Sequence, residues 1–366
     1  MSDARSTAMH LDQELAEVSG RVREYLLANR YAARFQPAHL EHAVYAYLRA
    51  GGKALRPAML LWSCALADGD EEIALPAAAA IEVYHTWTIV HDDIIDRDDR
   101  RRGGPTVHED LRVRGTSDLG LSGETAEHYG RSIALLAGDS QHAWGISLLT
   151  EAHRERGADA SLVLSLIEEL ENDVLNAIAE GETLDLQLSC RPIEEINEAE
   201  ILYMLAQKTG ALYRFAARAG AMLGLNRYQP DHPVVETLSQ FAYGCGIAFQ
   251  VQDDILGLLG ADAELGKPVG SDLREGKRTV IVHSAWSQAD QQQREILSRV
   301  LGNPLVEERE VADAIVLLDR LGGMAHARKV AQQYLEESLL SLRALPASPE
   351  RERLARLAAR MVDRSR

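Results

Sequence analysis

Two pairs of adjacent aspartates, Asp92-Asp93 and Asp253-Asp254, stand in separate apolar stretches of this chain. The first lies in His91-Asp92-Asp93-Ile94-Ile95-Asp96 and is followed by Arg100-Arg101-Arg102-Gly103. The second lies in Phe249-Gln250-Val251-Gln252-Asp253-Asp254-Ile255-Leu256, with Lys267 and Lys277 beyond it. Carboxylates in apolar surroundings are costly unless something positive joins them. Two acidic sets, each trailed by Lys or Arg, suit a metal-bound and highly anionic ligand, for which diphosphate is the candidate. Asp92 and Asp96 are four apart and share a helix face, with Asp93 about 100° round the axis. Like charges at that spacing repel, and aspartate at a helix C-terminus opposes the macrodipole. Cation binding accounts for an arrangement that bare structure disfavours. Magnesium takes carboxylate oxygens together with waters and substrate phosphates, and calcium is disfavoured because no EF-hand spacing is present. Lysine is a flexible point charge suited to phosphate oxygens, although either lysine alone reads as an ordinary solvated side chain.

These residues must be positioned by helices. Ala and Leu dominate the chain, aromatics are sparse, and apolar residues recur at helical spacing, as at Ile133, Leu136, Ala137, Trp144 and Leu148. The same period runs through Ile201, Leu205, Leu212, Phe215, Ala216 and Ala219. The pattern predicts an all-α protein, with a helix from Ala78 to Asp96 carrying the first aspartates at its C-terminal end. No Gly/Ser- or Pro-rich linker and no repeat divides the 366 residues, so one domain over 1–366 is expected. Fraying is expected at 1–10 and from about 345 to 366. The glycine-punctuated, aperiodic segment 111–130 reads as an exposed loop between helices.

Composition excludes several classes. With 39 Lys+Arg against 56 Asp+Glu, the formal charge is -17, the wrong sign for a partner that tracks nucleic-acid phosphates. No apolar run reaches the roughly 20 residues of a spanning helix, and the first twenty residues do not resemble a signal peptide. No stable membrane insertion is expected, and a soluble, cytoplasmic protein is. Cys64, Cys190 and Cys245 show no paired spacing and read as buried thiols in a reducing compartment.

Taken in order, the motifs resemble those of the trans-isoprenyl diphosphate synthases, the head-to-tail prenyltransferases. Gly51-Gly52-Lys53-Ala54-Leu55-Arg56-Pro57 is similar to the family's homoallylic diphosphate motif, and His85 precedes the first aspartate by the family's interval. Asp92-Asp93-Ile94-Ile95-Asp96 resembles its first aspartate-rich motif, with Arg101-Arg102-Gly103 after it. Gly138-Asp139, then Gly181 with Asp185, then Lys208-Thr209, and finally Asp253-Asp254 complete the series. Gly257 stands where the second motif usually ends in a third aspartate, and Glu182 stands where the family has glutamine.

The resemblance implies a helical bundle of the isoprenoid-synthase type around a central active-site cavity. It also implies condensation of isopentenyl diphosphate with an allylic diphosphate. Asp92, Asp93, Asp96, Asp253 and Asp254 would hold Mg²⁺, three ions in all. Arg101, Lys208 and Lys267 would bind the allylic diphosphate, with Lys277 as a further candidate. Lys53, Arg56, His85 and Arg102 would hold isopentenyl diphosphate. Thr209 and Gln250 would turn their oxygens toward the allylic cation, while His91 and His108 receive no role. Trp87, about 7.5 Å along the helix before Asp92, and the small Thr88 would set the floor for the growing tail. A single bulky ring there points to geranylgeranyl diphosphate, with farnesyl diphosphate next, and family members are homodimers.

Two other functions compete. A class I terpene cyclase shares the fold, and Asn172-Asp173-Val174-Leu175-Asn176-Ala177-Ile178-Ala179-Glu180 is close to its second metal motif. Asn176 replaces the serine or threonine of that motif, however, and cyclases lack the Gly-Gly-Lys and Arg-Arg sites. A non-catalytic subunit of a heteromeric synthase is the other alternative, with Gly257 as its only sign.

Overall fold

The computed structural model describes residues 2–101, 103–260 and 269–363. Arg102 and Lys267 therefore lie outside the described residues. The fold is all-α, as the periodicity requires. In order it runs α1 (Ser2–Ala28), α2 (Ala38–Ala50), α3 (Leu55–Leu66) and α4 (Glu71–Ile95), then the hairpin β1 (Arg100–Arg101) and β2 (Gly104–Pro105). Next come α5 (Val107–Leu119), α6 (Gly123–Arg154), α7 (Ala160–Glu168), α8 (Leu175–Cys190), α9 (Glu198–Leu205), α10 (Ala211–Gly224) and α11 (Pro233–Leu259). The short α12 (Ser271–Glu275) leads to α13 (Val280–Gln288), α14 (Gln291–Val300), α15 (Glu308–Arg320), α16 (Gly323–Leu342) and α17 (Pro349–Val362). Two π-turns, Glu169–Val174 and Ala206–Gly210, interrupt the helical course before α8 and α10.

The chain divides into two compact units, one of residues 1–168, 216–236 and 347–357, the other of residues 169–215, 237–346 and 358–366. The changeovers at 215/216 and 236/237 fall inside α10 and α11, so no linker marks the division. In the first unit α4 is the central helix. Asp70 caps its start by accepting from the Glu72 amide at 2.9 Å, and Glu71 and Glu72 complement the dipole there. Its run Ala77 to Ala80 is fully buried, and small side chains let α6 approach closely. Among the described residues α4 alone is long and apolar enough to cross a membrane, but 67% of that window is buried in the protein. It is a core helix. Phe35, Tyr45 and Trp144 pack edge to face beside it, with centroids 5.3 to 5.9 Å apart. The second unit has its own apolar core, which draws on Ile201, Leu205, Val251, Ile255, Ile281, Leu318 and Ala331.

Three sequence expectations are corrected here. Segment 111–130 is not a loop: α5 and α6 occupy it, and only the turn around Gly120, with φ +70°, breaks them. Gly115 and Gly130 mark close helix packing instead. A methyl on Gly115 would lie 2.8 Å from the Tyr129 ring, and one on Gly130 would lie 2.3 Å from the His108 carbonyl. Residue 1 and residues 364–366 lie outside the described residues, and α1 and α17 fill most of the described residues at both termini, where fraying is expected. Helix α1 begins at Ser2. Helix α17 buries Leu354, Leu357, Ala358 and Met361, and Arg353 Nε donates to Glu14 Oε1 at 3.1 Å. Cys64 and Cys245 are buried, which pushes each thiol up to about 12, but Cys190 is exposed.

Candidate active site

In the first unit the C-terminal end of α4 supplies the carboxylates. Asp92 and Asp96, one turn apart, bring carboxylate oxygens within 4.8 Å of each other. Asp93 is placed differently. The same rotation that puts it on another face of the helix buries it completely. There the Tyr47 hydroxyl donates to Asp93 Oδ2, and Arg101 Nε donates to Asp93 Oδ1. Burial, chiefly, raises Asp93 to about 6, against the pull of Arg101 and Tyr47. Expected as a metal ligand alongside Asp92 and Asp96, Asp93 is held here by Tyr47 and Arg101.

The hairpin β1–β2, turned at Gly103 with φ +77°, aims Arg101 back at α4. Its NH2 also reaches Asp98 Oδ2 at 3.3 Å and Asp92 Oδ2 at 3.5 Å. Expected to meet diphosphate, Arg101 rests on this carboxylate group, which holds its already high pKa higher still despite its burial. Arg56 and His85, expected to share one ligand, are brought together: Arg56 NH1 donates to His85 Nε2 at 2.9 Å. A permanently charged guanidinium in that place assigns the imidazole proton to Nδ1. Lys53 lies in the exposed turn before α3. Thr88 donates to the His85 carbonyl at 2.8 Å. Trp87 is half-buried against Tyr84 and His142, with centroids 4.9 and 4.8 Å away. Gly138 has its reason here, since a methyl on it would lie 2.1 Å from His91 Nε2.

The second unit carries the remaining candidate residues. The π-turn Ala206–Gly210 carries Lys208 and Thr209, and such turns recur at functional sites. Gly181 of α8 permits it, for a methyl there would stand 2.3 Å from the Lys208 amide nitrogen. Lys208 Nζ pairs with Glu182 Oε2 at 2.7 Å and with Asp185 Oδ2 at 2.8 Å. Thr209 Oγ1 donates to Gln250 Oε1 at 2.9 Å, and Gln250 Nε2 donates to Asp254 Oδ1 at 3.1 Å. On α11 Asp253 is exposed, whereas Asp254 is buried. Burial first, and then the charge of Asp272, push Asp254 well above the usual carboxylate range, with Asp253 and Asp185 adding to the effect. Lys277 Nζ pairs with Glu275 Oε2 at 3.0 Å.

This donor set fits a hard divalent cation. All the candidate ligands are carboxylate oxygens, the class that Mg²⁺ takes. Asp254 is a buried acid under three like charges, a position that a bound cation relieves. Four contributors were not visible in the sequence. Tyr47 and Asp272 come from distant segments with no motif of their own. His91 is one helical turn from Trp87, a spacing that hinted at contact, and His142 gave no signal. The cyclase-like stretch 172–180 straddles a π-turn, and its Asn172, Asp173, Asn176 and Glu180 are exposed, as a solvated helix face would be.

The family described as polyprenyl synthetase matches residues 37–318 of the chain. A geranylgeranyl diphosphate synthase of Saccharolobus solfataricus is 35% identical over 309 residues, covering 84% of this chain and 85% of that protein. A geranylfarnesyl diphosphate synthase of Aeropyrum pernix is 32% identical, covering 88% and 93%. Among solved structures, the geranylgeranyl pyrophosphate synthase of Corynebacterium glutamicum, complexed with isoprenyl diphosphate and magnesium, superposes with a TM-score of 0.84. It is 26% identical, and the match covers 97% of this chain and 99% of that one.

Proposed function

The chain belongs to the polyprenyl synthetase family, and from that membership we propose that it makes geranylgeranyl diphosphate. It is a Mg²⁺-dependent prenyltransferase that joins isopentenyl diphosphate head-to-tail to allylic diphosphates. The twenty-carbon product is supported by the geranylgeranyl synthases among its relatives and by the single indole before Asp92. The geranylfarnesyl relative makes a longer product the nearest competitor.

The residues divide the work. Arg101, Lys208 and Lys277 bind the allylic diphosphate, each exchanging a carboxylate partner for phosphate oxygens, and Lys267 binds it with them. Lys53, Arg56 and His85, with Arg102, hold isopentenyl diphosphate. The Arg56–His85 hydrogen bond sets the direction of both groups. Asp92, Asp96, Asp253 and Asp254 would hold the Mg²⁺, three ions in this proposal. Bound metal supplies positive charge where diphosphate gains negative charge as the allylic C–O bond breaks. Gln250 turns Oε1 toward Thr209 and its amide toward Asp254. Both oxygens of the Thr209–Gln250 pair keep a lone pair for the allylic cation. The double bond of isopentenyl diphosphate attacks that cation, and the proton then lost goes to the released diphosphate, so no side-chain base is required.

The protein acts as a cytoplasmic homodimer in this proposal. Val113 and Leu119 of α5 and Leu135 and Leu136 of α6 are exposed apolar residues suited to a second copy. The observation that carries the function is the seating of two separate aspartate pairs on apolar helices, Asp92-Asp93 on α4 with Arg101 beside it and Asp253-Asp254 on α11. A product assay tests it: purified protein, Mg²⁺, labelled isopentenyl diphosphate, and dimethylallyl, geranyl or farnesyl diphosphate in turn. Twenty-carbon product is expected. Product of another length keeps the chemistry and moves the floor, whereas no condensation with any primer overturns the proposal.

A further inference from the structure

Position 257 breaks the second aspartate motif, and the structure shows what stands there. Gly257 lies one turn after Asp253 on α11, on the same face. A methyl carbon on Gly257 would lie 3.3 Å from Oδ2 of Asp272. That oxygen is close to where an aspartate at 257 would carry its own carboxylate. Asp272 belongs to α12, fifteen positions further along the chain.

The approach is built into the backbone. The Gly270 amide donates to the Gly257 carbonyl at 3.0 Å, tying the start of α12 to α11. Gly270 and Gly276, with φ of +73° and +78°, turn the chain into and out of this single helical turn. Leu273 is buried, its carbonyl accepts from the Gly302 amide at 2.9 Å, and the Asp272 carbonyl accepts from the Lys277 amide at 2.9 Å. The backbone of Asp272 and of Leu273 is therefore held, and the Asp272 carboxylate reaches α11 from a fixed base.

We propose that Asp272 completes the second aspartate set, its carboxylate taking the place that Gly257 leaves without one and serving the same Mg²⁺ as Asp253 and Asp254. The proposal rests on the metal-dependent reading above. Glycine at 257 is then an adaptation rather than a loss. It leaves room for a carboxylate delivered from another helix, and a side chain at 257 would contest that room. If Asp272 were only a first-turn helix residue, its charge would favour the α12 N-terminus and have no bearing on position 257.

The test is calorimetric titration of Mg²⁺ into the full chain with methylenediphosphonate, an uncleavable diphosphate, alongside denaturant midpoints. Asp272→Asn is expected to weaken Mg²⁺ binding about tenfold, the scale for a residue that orients a metal's ligand shell. Gly257→Asp alone is expected to bind no tighter than wild type. Gly257→Asp combined with Asp272→Asn is expected to recover the wild-type affinity, a rescue that a general folding defect cannot produce. Wild-type affinity in Asp272→Asn, or a double variant no tighter than Asp272→Asn, overturns the proposal. Wild-type protein that takes up no Mg²⁺ overturns the metal reading itself, and this proposal with it.

Discussion

Trp87 Nε1 donates to His91 Nδ1 at 3.1 Å, one helical turn along α4, and His91 Nε2 in turn meets the Leu135 carbonyl at 3.2 Å. Accepting at Nδ1 and meeting a carbonyl at Nε2 defines the tautomer, with the proton on Nε2. The indole is thus held by a side chain that is itself held, with the Tyr84 and His142 rings packed against it.

Trp87→Ala is expected to lengthen the products, because it removes the ring proposed as the floor. His91→Phe keeps a ring of similar size but removes the acceptor, costing about 1 kcal/mol and broadening the product distribution. Chromatography of the chain lengths checks both. Products unchanged in Trp87→Ala remove that residue from the floor.

Asp93 makes stability depend on pH in a direction opposite to that of an ordinary paired carboxylate. Its folded value of about 6 lies above the ordinary 3.8, so the native state holds its proton more tightly. The contribution is fully present below about 3.8 and is lost as pH rises through about 6. The span is worth about 3 kcal/mol. Urea unfolding of wild type and Asp93→Asn across this window should give a difference that shifts against wild type as pH rises. A difference that is flat with pH contradicts the assignment.

Gln250→Leu separates Thr209 from Asp254 and deprives a buried carboxylate of its amide donor. Turnover is expected to fall on the order of 10²-fold, the scale for one preorganised polar group at a reacting charge. Thr209→Val removes only the outer link and is expected to fall less. Wild-type turnover in Gln250→Leu would assign that side chain to packing.

Gly181→Ala places a methyl 2.3 Å from the Lys208 amide nitrogen, so α8 and the π-turn must separate. Overpacking of this kind costs about 1–3 kcal/mol. A lower denaturation midpoint is expected together with a higher KM for the allylic diphosphate, since Lys208 moves with the turn. A lower midpoint with KM unchanged would uncouple the π-turn from substrate binding.

Much of the fold and of the site is legible in the amino-acid sequence alone. Helical period identifies the fold class, because a buried stripe must recur with the turn of the helix. Both aspartate pairs are legible because a carboxylate in an apolar run is costly unless it has a purpose. The angular offset of Asp93 from Asp92 and Asp96 is legible as well, although its consequence is not. Whether the odd face meets solvent or a neighbouring helix depends on what packs there, and Tyr47 is 46 residues away.

Glycine is the residue most easily misread. In 111–130 it suggests a loop, yet Gly115 and Gly130 are there for close approach between α5 and α6. Gly257 suggests a damaged motif, yet Asp272 faces it from α12. A missing side chain reads the same in one dimension whether it bends the chain or makes room for another. Local sequence dictates period, caps and the cost of a buried charge, since these depend on near neighbours. The partners of Asp93, Trp87, Asp254 and Gly257 follow from which helices pack together, because hydrogen bonds and close contacts act over a few ångströms of space, whatever the distance along the chain.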